Sequence, residues 1–117
     1  MLGTKIVYLE GAIAMNKIYQ GDAFPLMLDY TVDNIPLVDF DVDEIEFYIG
    51  DKQYLLSAGD IVLDTDINKY ALFVEQETTF KFDKFAPFQL RLKKNNQVVG
   101  EKIGRIPVGD SISRTVI

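Results

Sequence analysis

The sequence predicts an all-β fold, folded as a two-layer antiparallel sandwich. Three observations predict it. Apolar side chains alternate with period two along several segments, which puts them on one face of a strand. Turn residues recur roughly every ten positions, the spacing of short strands in a sandwich or small barrel. No stretch of about a dozen residues keeps apolar spacing of three and four with a cap at each end, so helix is limited to a turn or two. At 117 residues the chain has the size of one domain, able to bury roughly two-thirds of its unfolded surface around a single core.

From the N-terminus, residues 1–14 (MLGTKIVYLEGAIA) are strand-prone but precede the first clear turn, and read as an arm able to exchange onto the open sheet edge of a neighbouring subunit. Gln20-Gly21-Asp22 is that turn. Phe24, Leu26, Leu28 and Tyr30 then alternate with Pro25, Met27 and Asp29 as a strand with one wet face. After the turn Asp33-Asn34-Ile35-Pro36, Ile45, Phe47 and Ile49 alternate with Glu44, Glu46 and Tyr48, which places the two glutamates on a solvated face. Gly50-Asp51 and Ala58-Gly59-Asp60 are further turns, and Tyr70, Leu72 and Val74 mark another strand. A helical turn is expected around Asp83–Ala86. Phe88, Leu90 and Leu92 alternate with Gln89, Arg91 and Lys93, and Asn95-Asn96 suits a tight hairpin because Asn tolerates positive φ. Residues 109–117 read as a short C-terminal tail of the same domain.

Composition removes most enzyme classes. The chain has no Cys and no His, hence no thiolate, no thiolate metal site, no common near-neutral general base and no Ser-His or Cys-His nucleophile pair. No apolar run reaches the ~20 residues of a membrane-spanning helix, and Glu10 interrupts any leader-like segment. Membrane association is not expected, and neither is nucleic-acid binding at a net charge of −6.

Two acidic stretches invite a chemical reading. In DTDINKYALFVE, Asp64, Asp66, Asn68 and Glu75 fall at the first, third, fifth and twelfth places of a calcium loop. The sixth place, which needs a sharp bend, is Lys69, and Tyr70–Val74 alternates as a strand, so Glu75 is held away on extended chain. The expectation is a polar turn between a strand ending near Leu63 and one starting near Lys69. DFDVDEIE, residues 39–46, resembles the paired carboxylates of glycoside hydrolysis only in composition: there is no Trp and no sign of a long active-site loop. Gly100, Gly104 and Gly109 are not followed by a helix and form no phosphate loop. No cofactor and no catalytic residue is expected.

The order of features carries a resemblance. Tyr19-Gln20-Gly21-Asp22-Ala23-Phe24 opens a strand, Asn34-Ile35-Pro36-Leu37 follows, then a strand to Gly50, a Tyr-Ala-Leu-Phe-Val strand, a Thr78-Thr79 step, FAPFQLRLKKNNQVVGEKIGRIPV and the tail VGDSISRTVI. Over Lys17–Ile117 this resembles small β-sandwich structural proteins of phages and prophages of Gram-positive bacteria, including the N-terminal domain of upper baseplate proteins. Where such proteins often read Tyr-Xaa-Xaa-Gln-Leu before the last hairpin, this chain has Phe85-Ala86-Pro87-Phe88-Gln89-Leu90. The resemblance implies an immunoglobulin-like antiparallel sandwich of about seven to nine strands. It further implies a non-enzymatic role in a tail, baseplate or neck, with other virion proteins and further copies of itself as partners, in virions assembled in the host cytoplasm. The alternative is a carbohydrate-binding or adhesin module, for which the off-pattern aromatics Tyr48, Tyr54 and Phe73 are the candidates.

Charge is unevenly placed. Residues 1–80 carry 4 Lys and Arg against 15 Asp and Glu, a net of −11, and residues 81–117 carry 8 against 3, a net of +5. Within the chain, Arg91 and Lys93 are expected to face Glu44 and Glu46 across a sheet. Between subunits, Asp39, Asp41, Asp43, Asp64 and Asp66 on one copy are the candidates to meet Lys81, Lys84, Lys94, Lys102 or Arg105 on the next, a heterologous contact that closes into a ring.

Overall fold

The computed structural model describes residues 7–10, 13–14 and 18–109. Over these the chain is all-β. Its strands are β1 (Val7–Glu10), β2 (Ile13–Ala14), β3 (Ile18–Tyr19), β4 (Phe24–Asp29), β5 (Thr31–Val32), β6 (Ile35–Pro36), β7 (Glu44–Ile49), β8 (Lys52–Leu55), β9 (Val62–Asp64), β10 (Lys69–Val74), β11 (Phe85–Lys94) and β12 (Gln97–Gly109). A 3₁₀ turn at Leu37–Asp39 and a single helical turn, α1 (Gln76–Thr79), complete the described chain. The first sheet runs β2-β1-β4-β10-β9 and the second β3-β12-β11-β7-β8, with β5 and β6 as a separate small hairpin.

The period-two alternation builds one core between the sheets. Phe24, Leu26, Leu28, Leu72 and Val74 come from the first sheet, and Ile45, Phe47, Ile49, Phe88, Leu90, Leu92, Ile106 and Val108 from the second. Phe47 sits at its middle, stacked on Phe88 at 6.0 Å and tilted against Tyr54 at 6.5 Å. Each such side chain contributes about 1.5–3 kcal/mol by leaving water. The turns follow the expected chemistry: Asn95 and Asn96 both have positive φ, as do Asp33 and Asn34 between β5 and β6, the conformation that a two-residue hairpin requires. The segment Phe80-Lys81-Phe82 lies across two glycine turns. A Cβ on Gly21 (φ +86°) would meet the Phe80 ring at 2.8 Å, and one on Gly50 (φ +60°) the Phe82 ring at 2.9 Å. Glycine serves both the backbone and the close approach there.

Four features differ from the sequence expectation. The sheets are not wholly antiparallel, since β1 runs parallel to β4 and β3 runs parallel to β12. Twelve strands among the described residues stand where seven to nine are expected, because β2, β3, β5 and β6 are pieces only two residues long. The helical turn falls at Gln76–Thr79, closed by the Phe80 N–H on the Gln76 carbonyl, while Phe85 and Ala86 are drawn into β11 opposite Pro107 and Ile106. Glu46 is buried at 7% exposure instead of solvated. The 1–14 segment supplies β1 and β2 to the first sheet of its own chain; residues 1–6 and 11–12 and the tail beyond Gly109 lie outside the described residues.

Candidate protein interface on the second sheet

Side chains that alternate with the core residues of β7, β11 and β12 stand on the outer face of the second sheet, in rows set by the strand register. Phe85 opposes Pro107, and Pro87 opposes Arg105. Gln53, Tyr48, Gln89 and Ile103 line up across four strands, followed by Leu55, Glu46, Arg91 and Glu101. One end of the face is therefore apolar and the middle is charged. Ile103 is 66% exposed and Phe85 45%, and both stand clear of the core. The Arg105 guanidinium lies 4.7 Å from the Phe85 ring centre, a cation–π contact that holds the arginine over the apolar end.

The charged rows are laced together. Lys93 Nζ stands 2.8 Å from Glu46 Oε1, off the line of a directed hydrogen bond, so the contact is chiefly between charges. The Tyr48 hydroxyl donates to Glu46 Oε2 at 3.4 Å, and Gln53 Nε2 donates to the Tyr48 hydroxyl. Between the two rows Gln89 Nε2 donates to Glu101 Oε2 at 3.1 Å, with Arg91, the register partner of Glu101, placing its Nε 3.9 Å from that oxygen. The expected pairing of Lys93 with the glutamates of the neighbouring strand is thus present, on Glu46, one diagonal step from its register partner Glu44. Glu44 is engaged elsewhere. Partial burial pushes its carboxyl up, but hydrogen bonds from Ser57, Ile45 and Leu56 outweigh that and hold it below the usual glutamate value.

The ten candidate interface residues separate into groups. Asp41 and Lys94 meet within the chain at 2.6 Å, and the lysine's hydrogen bond and charge hold the aspartate below its ordinary value. Asp43 accepts from the Asn95 amide at 2.7 Å, so these two acids clamp the β11–β12 hairpin tip. Asp39 is exposed at the end of the 3₁₀ turn. Asp64 accepts from the Asp66 amide at 3.0 Å and Asn68 has φ +57°, the polar turn expected between strands at that point. Lys81, Lys84, Lys102 and Arg105 are exposed and form no ion pair with an acid among the described residues. Also among the described residues, no three His, Cys, Asp or Glu side chains are grouped to hold a metal ion.

The aromatic candidates do not form one patch. Tyr54 is buried against Phe47. Tyr48 and Phe73 each face away from the core, but on different sheets. Tyr48 lines an open hollow of about 310 Å³ with Gly50, Pro87, Phe88, Gln89 and Ile103. Phe73 lines another of about 280 Å³ on the first sheet with Pro25, Met27, Val62 and their neighbours. Comparison with known protein families, curated proteins and solved structures finds no match to this chain. Ile103, Phe85 and Pro87 are not among the interface candidates that charge or motif single out in the sequence. The signal was present in the parity of VVGEKIGRIPV, where Ile103 falls in step with Glu101 and Arg105 and out of step with Ile106 and Val108.

Proposed function

We propose that this chain is a non-enzymatic assembly protein that works through its surfaces, built as an immunoglobulin-like sandwich and serving as a structural component of a phage or prophage virion in its tail, baseplate or neck. The observation that carries the assembly role is the outer face of the second sheet: exposed Ile103 and Phe85, with Arg105 and Glu101 beside them, form an apolar patch rimmed by charge. The strand order supports the immunoglobulin-like reading. The runs β1-β4-β10-β9 and β12-β11-β7-β8 follow the ABED and GFC orders of that sandwich with one added strand, and the parallel β1 and β3 are its departures. The virion assignment rests on the order of sequence motifs over Lys17–Ile117. Its partners are further copies and other virion proteins, and its place is the virion.

Peptides of this chain are expected in gradient-purified particles, at constant ratio to the other structural proteins; finding it only in the particle-free fraction contradicts the assignment. The bases Lys81, Lys84, Lys102 and Arg105, exposed and without an ion pair among the described residues, support a salt-sensitive contact with acids of a neighbouring subunit, because exposed charges are screened beyond about 8 Å at physiological salt. Light scattering then shows an oligomer that loses mass by about 0.5 M salt, mimicked by Lys81→Glu with Lys84→Glu. A second reading is favoured by the hollow beside Tyr48, where Gln89 and an aromatic ring line an open surface as in a glycan site. A glycan array tests it, with Tyr48→Ala abolishing any signal.

A further inference from the structure

The first sheet also has an outer face, with rows set by the register of β4, β10 and β9. Pro25 stands opposite Phe73, and Ala71 lies between Met27 and Val62. Alanine has only a methyl group to fill its place between longer side chains. The face therefore sinks at Ala71 and Met27, which are buried, while Phe73 and Val62 stand up beside them, 53% and 54% exposed. These walls enclose the open hollow of about 280 Å³ on that face. Its rim toward the sheet edge is acidic. Asp60 and Asp64 line it, each accepting one backbone N–H, from Leu55 and from Asp66, and neither forms an ion pair among the described residues. Lys69, the register partner of Asp64, is taken up by Asp29 at 3.1 Å.

On the opposite face of the sandwich the second sheet has the reverse character. Ile103 projects into solvent, Pro87 and Phe85 continue the apolar end, and Arg105 rests on the Phe85 ring with Lys84 next to Phe85 in the chain. Glu101 is already met by Gln89 and Arg91. The charges there without an ion pair among the described residues are those of Lys84 and Arg105. We infer that the hollow beside Phe73 is the docking site for the Ile103 end of a second copy of this chain. This rests on the assembly reading above and names the surface that receives the contact. The argument is complementarity of two kinds. A projecting branched side chain meets an apolar depression, and an acidic rim meets two bases, so no charge is stranded against apolar surface. The two surfaces differ, which makes the contact heterologous. They also lie on opposite faces of one sandwich, so two copies cannot exchange both contacts at once. Each copy keeps one surface open for the next, and the assembly grows past two chains until it closes as a ring or extends as a filament.

The test is sedimentation equilibrium of the full chain and its variants, with thermal unfolding as the check on folding. The wild type is expected to exceed twice the 13.3 kDa chain mass as concentration rises. Phe73→Asp blocks the hollow and Ile103→Asp blocks the projection, both at exposed positions. Each variant alone should stay folded and associate about tenfold more weakly or worse. Val62→Asp, on the other wall of the hollow, should act as Phe73→Asp does. Mixed in equal amounts, Phe73→Asp and Ile103→Asp should pair one to one and stop there, because the pair joins one intact hollow to one intact projection. Lys84→Glu with Arg105→Glu sets acid against acid and should weaken association about tenfold. A wild type that stays monomeric at every concentration, or stops at two chains, overturns the proposal. So does a mixture of folded variants that fails to pair. Association lost in Ile103→Asp but indifferent to both Phe73→Asp and Val62→Asp keeps the assembly reading and loses this hollow.

Discussion

The two faces of the second sheet are made by the same strands, yet they are put to opposite uses. On the inner face Ile45, Phe47, Ile49, Phe88, Leu90 and Leu92 interdigitate with the first sheet and are almost wholly buried. On the outer face the alternating positions hold Glu46, Arg91, Lys93 and Glu101 in a charge lattice, and leave Ile103 and Phe85 in solvent. Substitutions on the inner face should therefore register in stability, and those at the exposed end of the outer face in association. The difference lies in packing density: a filled core has no room to relax, while an exposed side chain has water to replace it.

Phe47→Ala presses on that contrast hardest. It removes the ring between Phe88 and Tyr54 and should lower unfolding free energy by about 3–5 kcal/mol in a denaturant titration. Gly21→Ala puts a Cβ 2.8 Å from the Phe80 ring in a left-handed conformation and should cost about 1–3 kcal/mol. Glu46→Ala marks where the contrast softens, because this outer residue is buried and meets Lys93; a loss of about 1–2 kcal/mol is expected. Ile103→Ser should change stability by less than about 0.5 kcal/mol while weakening self-association. A large loss of stability there would erase the distinction between the faces.

Alkaline pH probes the inner face separately. Burial, with the Glu75 and Asp60 carboxylates, pushes the Tyr54 phenol up to about 12 from 10.0. The folded state then holds the proton that the unfolded chain gives up. That contribution is complete below pH 10 and is lost as pH rises through about 12. Tyr54→Phe should flatten the fall in melting temperature over that interval, and an unchanged slope would remove Tyr54 as its cause.

Strands were readable wherever one face is dry and the other wet. Phe24–Asp29, Glu44–Ile49, Lys69–Val74 and the Asn95-Asn96 hairpin follow from alternation and turn chemistry alone. The parallel pairings of β1 with β4 and β3 with β12 were not readable, because a two- or four-residue strand carries too short a pattern to specify a distant partner. Tyr54 reads as off-pattern in the sequence because KQYL is too short to show which face is inward. Glu46 reads as solvated because alternation names the outer face but not what covers it, and here that is Lys93. The same limit hid Ile103: its parity is in the sequence, but its exposure beside Phe85 and Pro87 follows only from the strand register.

Sedimentation equilibrium of the wild type beside Ile103→Ser reads the central claim directly. The account predicts that the wild type associates and that Ile103→Ser weakens association without lowering the melting temperature, because this side chain stands 66% exposed at the apolar end of the outer face. A wild type that is monomeric at every concentration, or association indifferent to Ile103→Ser, would contradict it.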